Sequence, residues 1–554
     1  MLHQGKIVAI KGLGGFHLAC DANNPDAVSE LRRRKLRVDK PFAIMLADID
    51  AVNKYCLADL NTIELLESIA RPIVIIDRRP GVSITSEVAP GQKSIGVMLP
   101  YTPIHHLLFN PRWYDALVMT SGNVSEEPIV TGNEEAREQL SQMADAFLMH
   151  NRDIHIRCDD SVVRSFEKNT IPIRRSRGYA PYPVRLKTEP PSVLACGAEL
   201  KNTFCLTHGN YAFLSHHIGD LENMETLESF EKGIAQFERI FRVDTRAIAH
   251  DLHPDYLATR YAQNRASQEN LPAFGVQHHH AHIVACMVDN QLAGDQPVIG
   301  VAFDGTGYGT DGTIWGGEFL VADFKGFERM YHLETIPLPG GDLAVREPWR
   351  IALSWLNQVK IPWDDRLLPV KYLTNEPTLS GIFQQQWIAK INSPLTSSMG
   401  RLFDAASALS GIRLQVNYEG QAAIEFEAIV DPSEKKGYPF EIGSVQVRPD
   451  PLIHELVNDV KNEVSKPRIA ARFHNGVAEM TAQVCEAIRK RTDISDVALS
   501  GGVWQNLTLF KGTLERLRSR GFRVYSHHQV PPNDGGIALG QAVVAATLFS
   551  ENLI

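Results

Sequence analysis

The chain has 554 residues, 44% hydrophobic and 22% charged, with a formal net charge of −9; that length exceeds one ordinary core and points to two to four domains. No apolar run approaches the roughly 18–20 residues that cross a bilayer, and residues 1–6 lack the apolar core of a signal peptide. The 7 cysteines are odd in number and form no C-x-x-C pair, which argues against a disulfide framework or a cysteine zinc ribbon and for reduced thiols in the cytoplasm.

Charge is unevenly spread. Up to residue 190 there are 24 Lys and Arg against 23 Asp and Glu; beyond it there are 32 against 42. An acidic second part is poorly suited to wrapping nucleic acid, which needs local positive charge.

In chain order, residues 6–11 read as a buried strand ending in Gly12-Leu13-Gly14-Gly15, a turn that lets the backbone approach a ligand closely, with Lys11 facing that space. Asn24-Pro25 caps a helix that carries Arg32-Arg33-Arg34-Lys35-Leu36-Arg37, and residues 40–46 form the next strand. Residues 116–119 run into Thr120-Ser121-Gly122-Asn123-Val124-Ser125, a polar turn able to hydrogen-bond a carboxylate or phosphate. Asp159-Asp160-Ser161 and Arg174-Arg175-Ser176-Arg177 close this unit. A basic run is ordinarily a solvated face; the motif context of these two moves them toward ligand binding.

Residues 193–206 read as a hairpin. Val276-Gln277-His278-His279-His280-Ala281-His282 then joins a strand-like run to a helix-like segment, 281–289. If the helix begins at the cluster, His278 and His282 share one face and can close on one metal ion; the alternative is a surface histidine run that binds metal adventitiously. A second hairpin starts at residues 298–307, which contain Phe303-Asp304-Gly305-Thr306-Gly307, and returns through 317–321. Residues 497–506 give a strand and a Gly501-Gly502 turn before a helix at 507–518, aiming backbone N–H groups at a phosphate or adenosine. Asp534, at the start of the last helix, is either a cap or a metal ligand.

Lys35-x-Arg37-x-x-Lys40-Pro41 followed by Thr120-Ser121-Gly122-Asn123-x-Ser125 is similar to the YrdC/Sua-type fold, with Gly where many members carry Ala. The resemblance implies adenylation of a small carbamate-like acid by ATP with Mg2+. Joining two anions needs fixed cations around the triphosphate and the leaving pyrophosphate; Lys11, Arg37, Lys40 and Arg174 are the candidates. Ser121 and Asn123 would orient the acid, and Thr120, Arg175 and Arg177 would be further nucleotide contacts.

The second part matches the duplicated plan of the actin/sugar-kinase/Hsp-type ATPases and resembles their TsaD/Kae-type subgroup, which holds a metal with a His-x-x-x-His pair and a late Asp. By motif these ligands are His278, His282 and Asp534. Asp304-Gly305-Thr306 stands where that subgroup has Ser-Gly-Gly, so Asp304 would be an extra ligand. Such a donor set suits Zn2+ or Fe2+ equally. Gly400-Arg401-Leu402-Phe403-Asp404 and Tyr418-Glu419-Gly420 match the subgroup's nucleotide cleft. There Asp404 would hold ribose hydroxyls and Glu419 would orient the site, with Gly305, Thr306, Gly400, Gly420, Gly501, Gly502 and Asn506 lining it.

Together the two modules resemble the HypF carbamoyltransferase family. The fold implied is α/β (α+β): a YrdC-like twisted-sheet domain over 1–188, then a TsaD-like domain over 189–554 whose second lobe starts near 298. The activity implied is formation of carbamoyl-adenylate from ATP and carbamate, itself derived from carbamoyl phosphate. The carbamoyl group would pass to the C-terminal cysteine of the partner HypE, supplying cyanide ligands of [NiFe]-hydrogenase. No nucleic-acid or membrane partner is expected, and a homodimer is compatible with the size. Full members open with an acylphosphatase-like domain and C-x-x-C zinc repeats; neither is found here, so a shortened or unusually short member is expected, one that would not itself hydrolyse carbamoyl phosphate efficiently. A tRNA threonylcarbamoyl transferase uses the same module types but needs a basic surface. An Hsp-like nucleotide-dependent binding protein would need neither the first module nor the histidine pair, and a sugar kinase would need a catalytic Asp for which no candidate stands out.

Overall fold

Short runs rich in Ile, Val and Met build the first sheet. In spatial order its nine strands are Ala146–Leu148, Val8–Lys11, Phe16–Asp21, Ala116–Ser121, Ala43–Leu46, Ser94–Met98, Ile73–Asp77, Val162–Phe166 and Asn169–Arg174. Pairing is mixed: Val8–Lys11 runs antiparallel to Phe16–Asp21, and Ala43–Leu46 parallel to Ser94–Met98. Side chains on one face, among them Ile44, Val74, Val97 and Val118, are fully buried. The helix Pro25–Arg34 packs Val28 and Leu31 into this core. It starts at Asn24, whose side chain accepts the Asp26 and Ala27 N–H groups, and ends in three arginines that complement the helix dipole.

The computed structural model describes residues 1–109, 113–123 and 127–551; Ser125 of the polar-turn motif lies outside them. The chain divides into two compact units. Unit one comprises Met1–His250, Asp255–Ala273 and His528–Ala538; unit two comprises Asp251–Pro254, Phe274–His527 and the chain from Leu539. Residues 189–250, whose strands belong to a separate six-stranded sheet, are grouped in unit one with the residues before 188.

Arg175 shows how. Its buried guanidinium donates to the carbonyls of Leu214 (2.9 Å), Tyr179 (3.0 Å) and Tyr182, while its own carbonyl accepts the His217 N–H at 3.0 Å. The late segment joins too: Asn533 donates to the Ile173 carbonyl at 3.0 Å, and Thr203 to the Gly535 carbonyl at 3.1 Å. Within unit one the predicted hairpin pairs Val193–Ala195 with Cys205–His208, Leu194 opposite Leu206. Behind it the helix Met224–Phe241 sets Phe230 and Phe237 edge-on to Phe204.

In unit two Val298–Tyr308 and Ile314–Ala322 form the second predicted hairpin, and Asp496–Ser500 adds in parallel on the other side. The helix His278–Asp289 lies so close to Val298–Tyr308 that a Cβ on Gly300 would meet Ile283 at 2.5 Å. Among the described residues, no helix is long and apolar enough to cross a membrane.

Arg175→Ala would leave the buried Leu214 carbonyl and the part-buried carbonyls of Tyr179 and Tyr182 without this donor. It is expected to cost about 3 kcal/mol and to lower the melting midpoint of unit one by roughly 5 °C or more, read by differential scanning calorimetry.

Candidate functional site

In unit one the strand pairing puts Ser121 beside His17 and carries the polar turn to the sheet's edge. Lys35, just beyond the capped helix, is buried and donates its ammonium to the carbonyls of Ser121 (2.8 Å) and Asn123 (2.8 Å) and to Asn123 Oδ1 (2.7 Å). The Ser121 hydroxyl donates to the same Oδ1 at 2.7 Å, and Asn123 Nδ2 to the Glu127 carbonyl at 2.6 Å. Arg37 braces the next turn: it donates to the carbonyls of Lys40 (3.0 Å) and Pro41 (2.5 Å) and to Thr120 Oγ1 (3.0 Å). Burial pushes the Lys35 pKa down to about 7, and Arg37 and Lys40 push the same way against Asp159. Lys40 is an exposed residue, although the protein crowded around its ammonium partly desolvates it. That desolvation, then Arg37 and Arg174, lower its pKa, and Asp220 opposes. His217 is held well below the ordinary imidazole range by burial, with Arg174, Lys201 and Lys40 adding to it. Lys40 and Arg174 thus share a recess with Lys201 and His217.

Three of the expected nucleotide ligands are committed elsewhere. Arg175 ties carbonyls together, as described above. Arg177 pairs with Asp160 at 2.7 Å, donates to the carbonyls of Ala70 and Arg71, and stacks 3.6 Å over Tyr101. Burial alone would raise the Asp160 pKa, but His17, at 3.1 Å, and Arg177 hold it below the ordinary range. Thr120 accepts from Arg37. Lys11 is buried at the end of its strand, with its ammonium 3.4 Å from the His150 carbonyl.

In unit two the helix begins at the histidine cluster. Gln277 caps it by accepting the His280 N–H at 2.8 Å, and His278 and His282 lie buried one turn apart. The facing strand shifts register between Phe303 and Gly307, so Asp304, Gly305 and Thr306 leave the ladder, as bulges do beside active sites. Asp304 Oδ1 accepts the N–H groups of Gly305 (2.8 Å) and Gly502 (3.1 Å). Its Oδ2 lies 3.1 Å from His282 Nε2 and 3.5 Å from His278 Nε2. Burial would raise the Asp304 pKa, but the two imidazoles hold it well below the usual carboxylate range. On its far side His278 Nδ1 sits 2.8 Å from the buried Asp251, the carboxylate–histidine arrangement that orients metal-binding imidazoles.

This donor set fits a divalent transition metal. Bonds of about 2.0–2.1 Å at tetrahedral angles place neighbouring donors roughly 3.3 Å apart, and the two observed separations bracket that value. Asp534, the late acid of the motif, lies in unit one at the start of the turn Asp534–Gly536. It is not the cap there: Asn533 accepts the Gly535 N–H at 3.0 Å.

The expected nucleotide residues of unit two divide as well. A Cβ on Gly400 would meet the Gly305 Cα at 2.9 Å, and one on Gly501, whose φ is +106°, the Phe303 carbonyl at 2.2 Å, so both glycines permit close backbone packing. Asp404 is buried and paired with Arg401 at 2.7 Å; burial raises its pKa, Arg401 opposes, and Glu419 adds to the rise. Gly420, at φ +72°, starts the helix Gln421–Ala428 after Glu419. Asn506 caps the helix Leu507–Ser519 through the Leu509 N–H and meets His474 Nε2 at 2.9 Å. The Gly502 N–H, expected on a phosphate, is bonded to Asp304.

Lys35, Asp251, Lys201 and His217 were not singled out from the sequence. Lys35 stands inside the basic motif and was legible there; the other three are placed by the fold.

Family models match three consecutive stretches. They are the Sua5–YciO–YrdC model, described as "Telomere recombination" (residues 1–176), the "HypF Kae1-like domain" (188–289), and "Carbamoyltransferase, Kae1-like Domain, second subdomain" (300–541). Carbamoyltransferase HypF2 of Cupriavidus necator is 41% identical over 98% of this chain and 72% of its own length. Carbamoyltransferase HypF of Rhodobacter capsulatus is 42% identical over 100% and 73%. A crystal structure of full-length HypF in its phosphate- and nucleotide-bound form superposes with a TM-score of 0.92 at 46% identity, covering 99% of this chain and 85% of that one. HypF of T. kodakarensis gives 0.93 at 35%, covering 99% and 73%. The molecule is a carbamoyltransferase with a YrdC-like sheet domain and a Kae1-like region. The chain belongs to the HypF family.

Gly307 faces His278 and His279 without a side chain. A Cβ there would lie 2.4 Å from His279 Cε1 and 2.7 Å from His278 Cδ2. Gly307→Ala is expected to overpack the cluster at a cost of about 1–3 kcal/mol, seen as a lowered melting midpoint; an unchanged midpoint would show the rings free to shift.

Proposed function

We propose that unit one joins ATP, as its Mg2+ complex, to carbamate, and that the carbamoyl group then moves to the C-terminal cysteine thiolate of HypE. The observation that carries the first step is the set of cations around one recess: Arg37, Lys40 and Arg174 beside the turn that Lys35 holds in place. A carbamate oxygen attacks the α-phosphorus, the α–β phosphoanhydride bond breaks, and pyrophosphate leaves. Lys40 and Arg174 offset the charge that grows on the departing group. Lys35 fixes Ser121 and Asn123, which orient the acid; it is a positioning residue. In the second step the thiolate attacks the carbonyl carbon, the bond to the AMP oxygen breaks, and AMP leaves with the electron pair. The phosphate- and nucleotide-bound relative supports nucleotide use by this fold.

His278, His282 and Asp304 would hold the metal, Zn2+ or Fe2+, with Asp534 as the remaining ligand on the strength of the motif resemblance. When bound, the metal would supply a Lewis acid for the adenylate phosphate. This chain's own residues keep that site dry and set the ligand orientation: Asp251 fixes His278, and the Gly305 and Gly502 N–H groups fix Asp304.

ATP–pyrophosphate exchange tests the first step, with carbamate generated from carbamoyl phosphate by added acylphosphatase. Exchange that needs carbamoyl phosphate and falls at least about a hundredfold in Lys40→Ala (roughly 3 kcal/mol) is expected; exchange driven instead by threonine and bicarbonate would overturn the assignment.

A pH dependence follows from Lys35. A nearby polyanion favours its ammonium form, so ATP binding near pH 7.5 is expected to take up a fraction of a proton, measured by calorimetry in buffers of different ionisation enthalpy. The apparent Kd is expected to rise a few-fold from about pH 6.5 to about pH 8.5 as the free protein loses that proton. In Lys35→Arg the rise should vanish. Without ligand, stability should increase with pH between about 7 and the unfolded lysine value near 10.4, because there the unfolded chain holds a proton that the folded chain does not.

A further inference from the structure

His278 is oriented by a carboxylate in direct contact. The outer nitrogen of His282 meets a hydroxyl instead: Nδ1 lies 3.4 Å from Ser500 Oγ, and Ser500 Oγ lies 2.8 Å from His527 Nε2. His527 Nδ1 in turn faces the Asp289 carboxylate at 3.7 Å, too far for a hydrogen bond but near enough for its charge to favour a proton there. His282, Ser500, His527 and Asp289 are all buried, none more than 4% exposed. The fold sets this row. His282 and Asp289 stand two turns apart on one face of the helix His278–Asp289. Asp496–Ser500 and Arg523–Tyr525 are parallel neighbours with Ala498 opposite Tyr525, and continuing that register brings Ser500 level with His527.

We propose that Ser500, His527 and Asp289 are positioning residues that fix the tautomer of His282 and so present its Nε2 lone pair to the metal. The inference rests on the metal reading above. A buried carboxylate only accepts, so Asp289 favours the proton of His527 on Nδ1. A neutral His527 then has a bare Nε2, which must accept the Ser500 hydroxyl proton. With that proton spent, Ser500 offers only lone pairs to His282, whose Nδ1 must be the N–H. Nε2 of His282 is left bare beside Asp304 Oδ2. Reversing the row would put a proton on His282 Nε2, where a cation must bind, and would take the Nδ1 proton of His527 away from Asp289. Outer partners of metal-bound histidines are typically worth about 10–100-fold in metal affinity, and here one of the two imidazoles receives that support through two intermediaries.

The test is Zn2+ affinity of the full chain, stripped with a chelator and titrated with Zn2+ alone against a chromogenic competitor. Ser500→Ala, which removes one oxygen atom, and the isosteric Asp289→Asn are each expected to weaken binding by about 10–100-fold in a chain that remains cooperatively folded without metal. The double variant should bind no more weakly than Ser500→Ala alone, because cutting the row at Ser500 already disconnects Asp289 from His282. Affinities within about twofold of wild type, additive losses in the double variant, or a lowered metal-free midpoint with unchanged affinity would each overturn the proposal. His278→Ala is the control for the reading beneath it: a wild-type chain that shows no saturable Zn2+ binding, or whose binding survives His278→Ala, removes the metal site itself and this inference with it.

Discussion

A single carboxylate, Asp304, organises unit two. It is buried, so it needs partners on every side, and it finds two N–H groups at one oxygen and two imidazoles at the other. Each partner imposes a demand on the fold. The strand must break register to lift Asp304 from the ladder, the glycine turn after Asp496–Ser500 must come within hydrogen-bond reach, and the helix must start where Gln277 can cap it. A buried charge left alone would be costly; here two backbone N–H groups hold one of its oxygens, and the histidine pair faces the other.

Unit one solves the opposite problem. Several cations are drawn together around a recess with few acids among them, an arrangement that is unfavourable for the free protein and favourable once an anion enters. The arginines divide the labour by depth. Those whose guanidinium groups are sunk among carbonyls, Arg175 and Arg177, hold the architecture; Arg37 braces the turn that carries Lys40; Arg174, one residue before the most buried of them, remains directed to the recess that Lys40 occupies. Adjacent residues of like chemistry thus have different duties, because successive positions of an extended chain face opposite ways.

How much of this the sequence discloses depends on distance along the chain. Local patterns were readable: the two hairpins, the Asn24-Pro25 cap and the Gly501-Gly502 turn all stand where spacing and turn chemistry put them, and the His278–His282 pair needed only one helical turn. Asp304 could be singled out because it stands where the resembled subgroup carries Ser. Asp251 could not, since nothing near it in sequence marks a residue that meets His278 across the fold. Lys35 was in view yet passed over, because a lysine in a basic run looks solvated until its three acceptors are known. Arg175 and Asn506 show the converse: a cation or an amide beside a glycine turn resembles a ligand group, and only the hydrogen-bond partners show that each is also engaged by the fold.

The stitching of Arg175 to Leu214 and His217 has a bearing on how such a two-module chain arose. Were the modules beads on a string, their junction near residue 188 would be a place to cut, lengthen or recombine at little cost. Instead, the last strand of the first sheet is fastened to residues beyond the junction and, through Ile173 and Asn533, to a segment near the far end of the chain. Exchange of the first module for a relative's would have to bring a guanidinium placed to meet the Leu214 carbonyl left beyond the junction. The two halves are therefore heritable as a pair: drift on one side of the junction is constrained by what the other side can still accept.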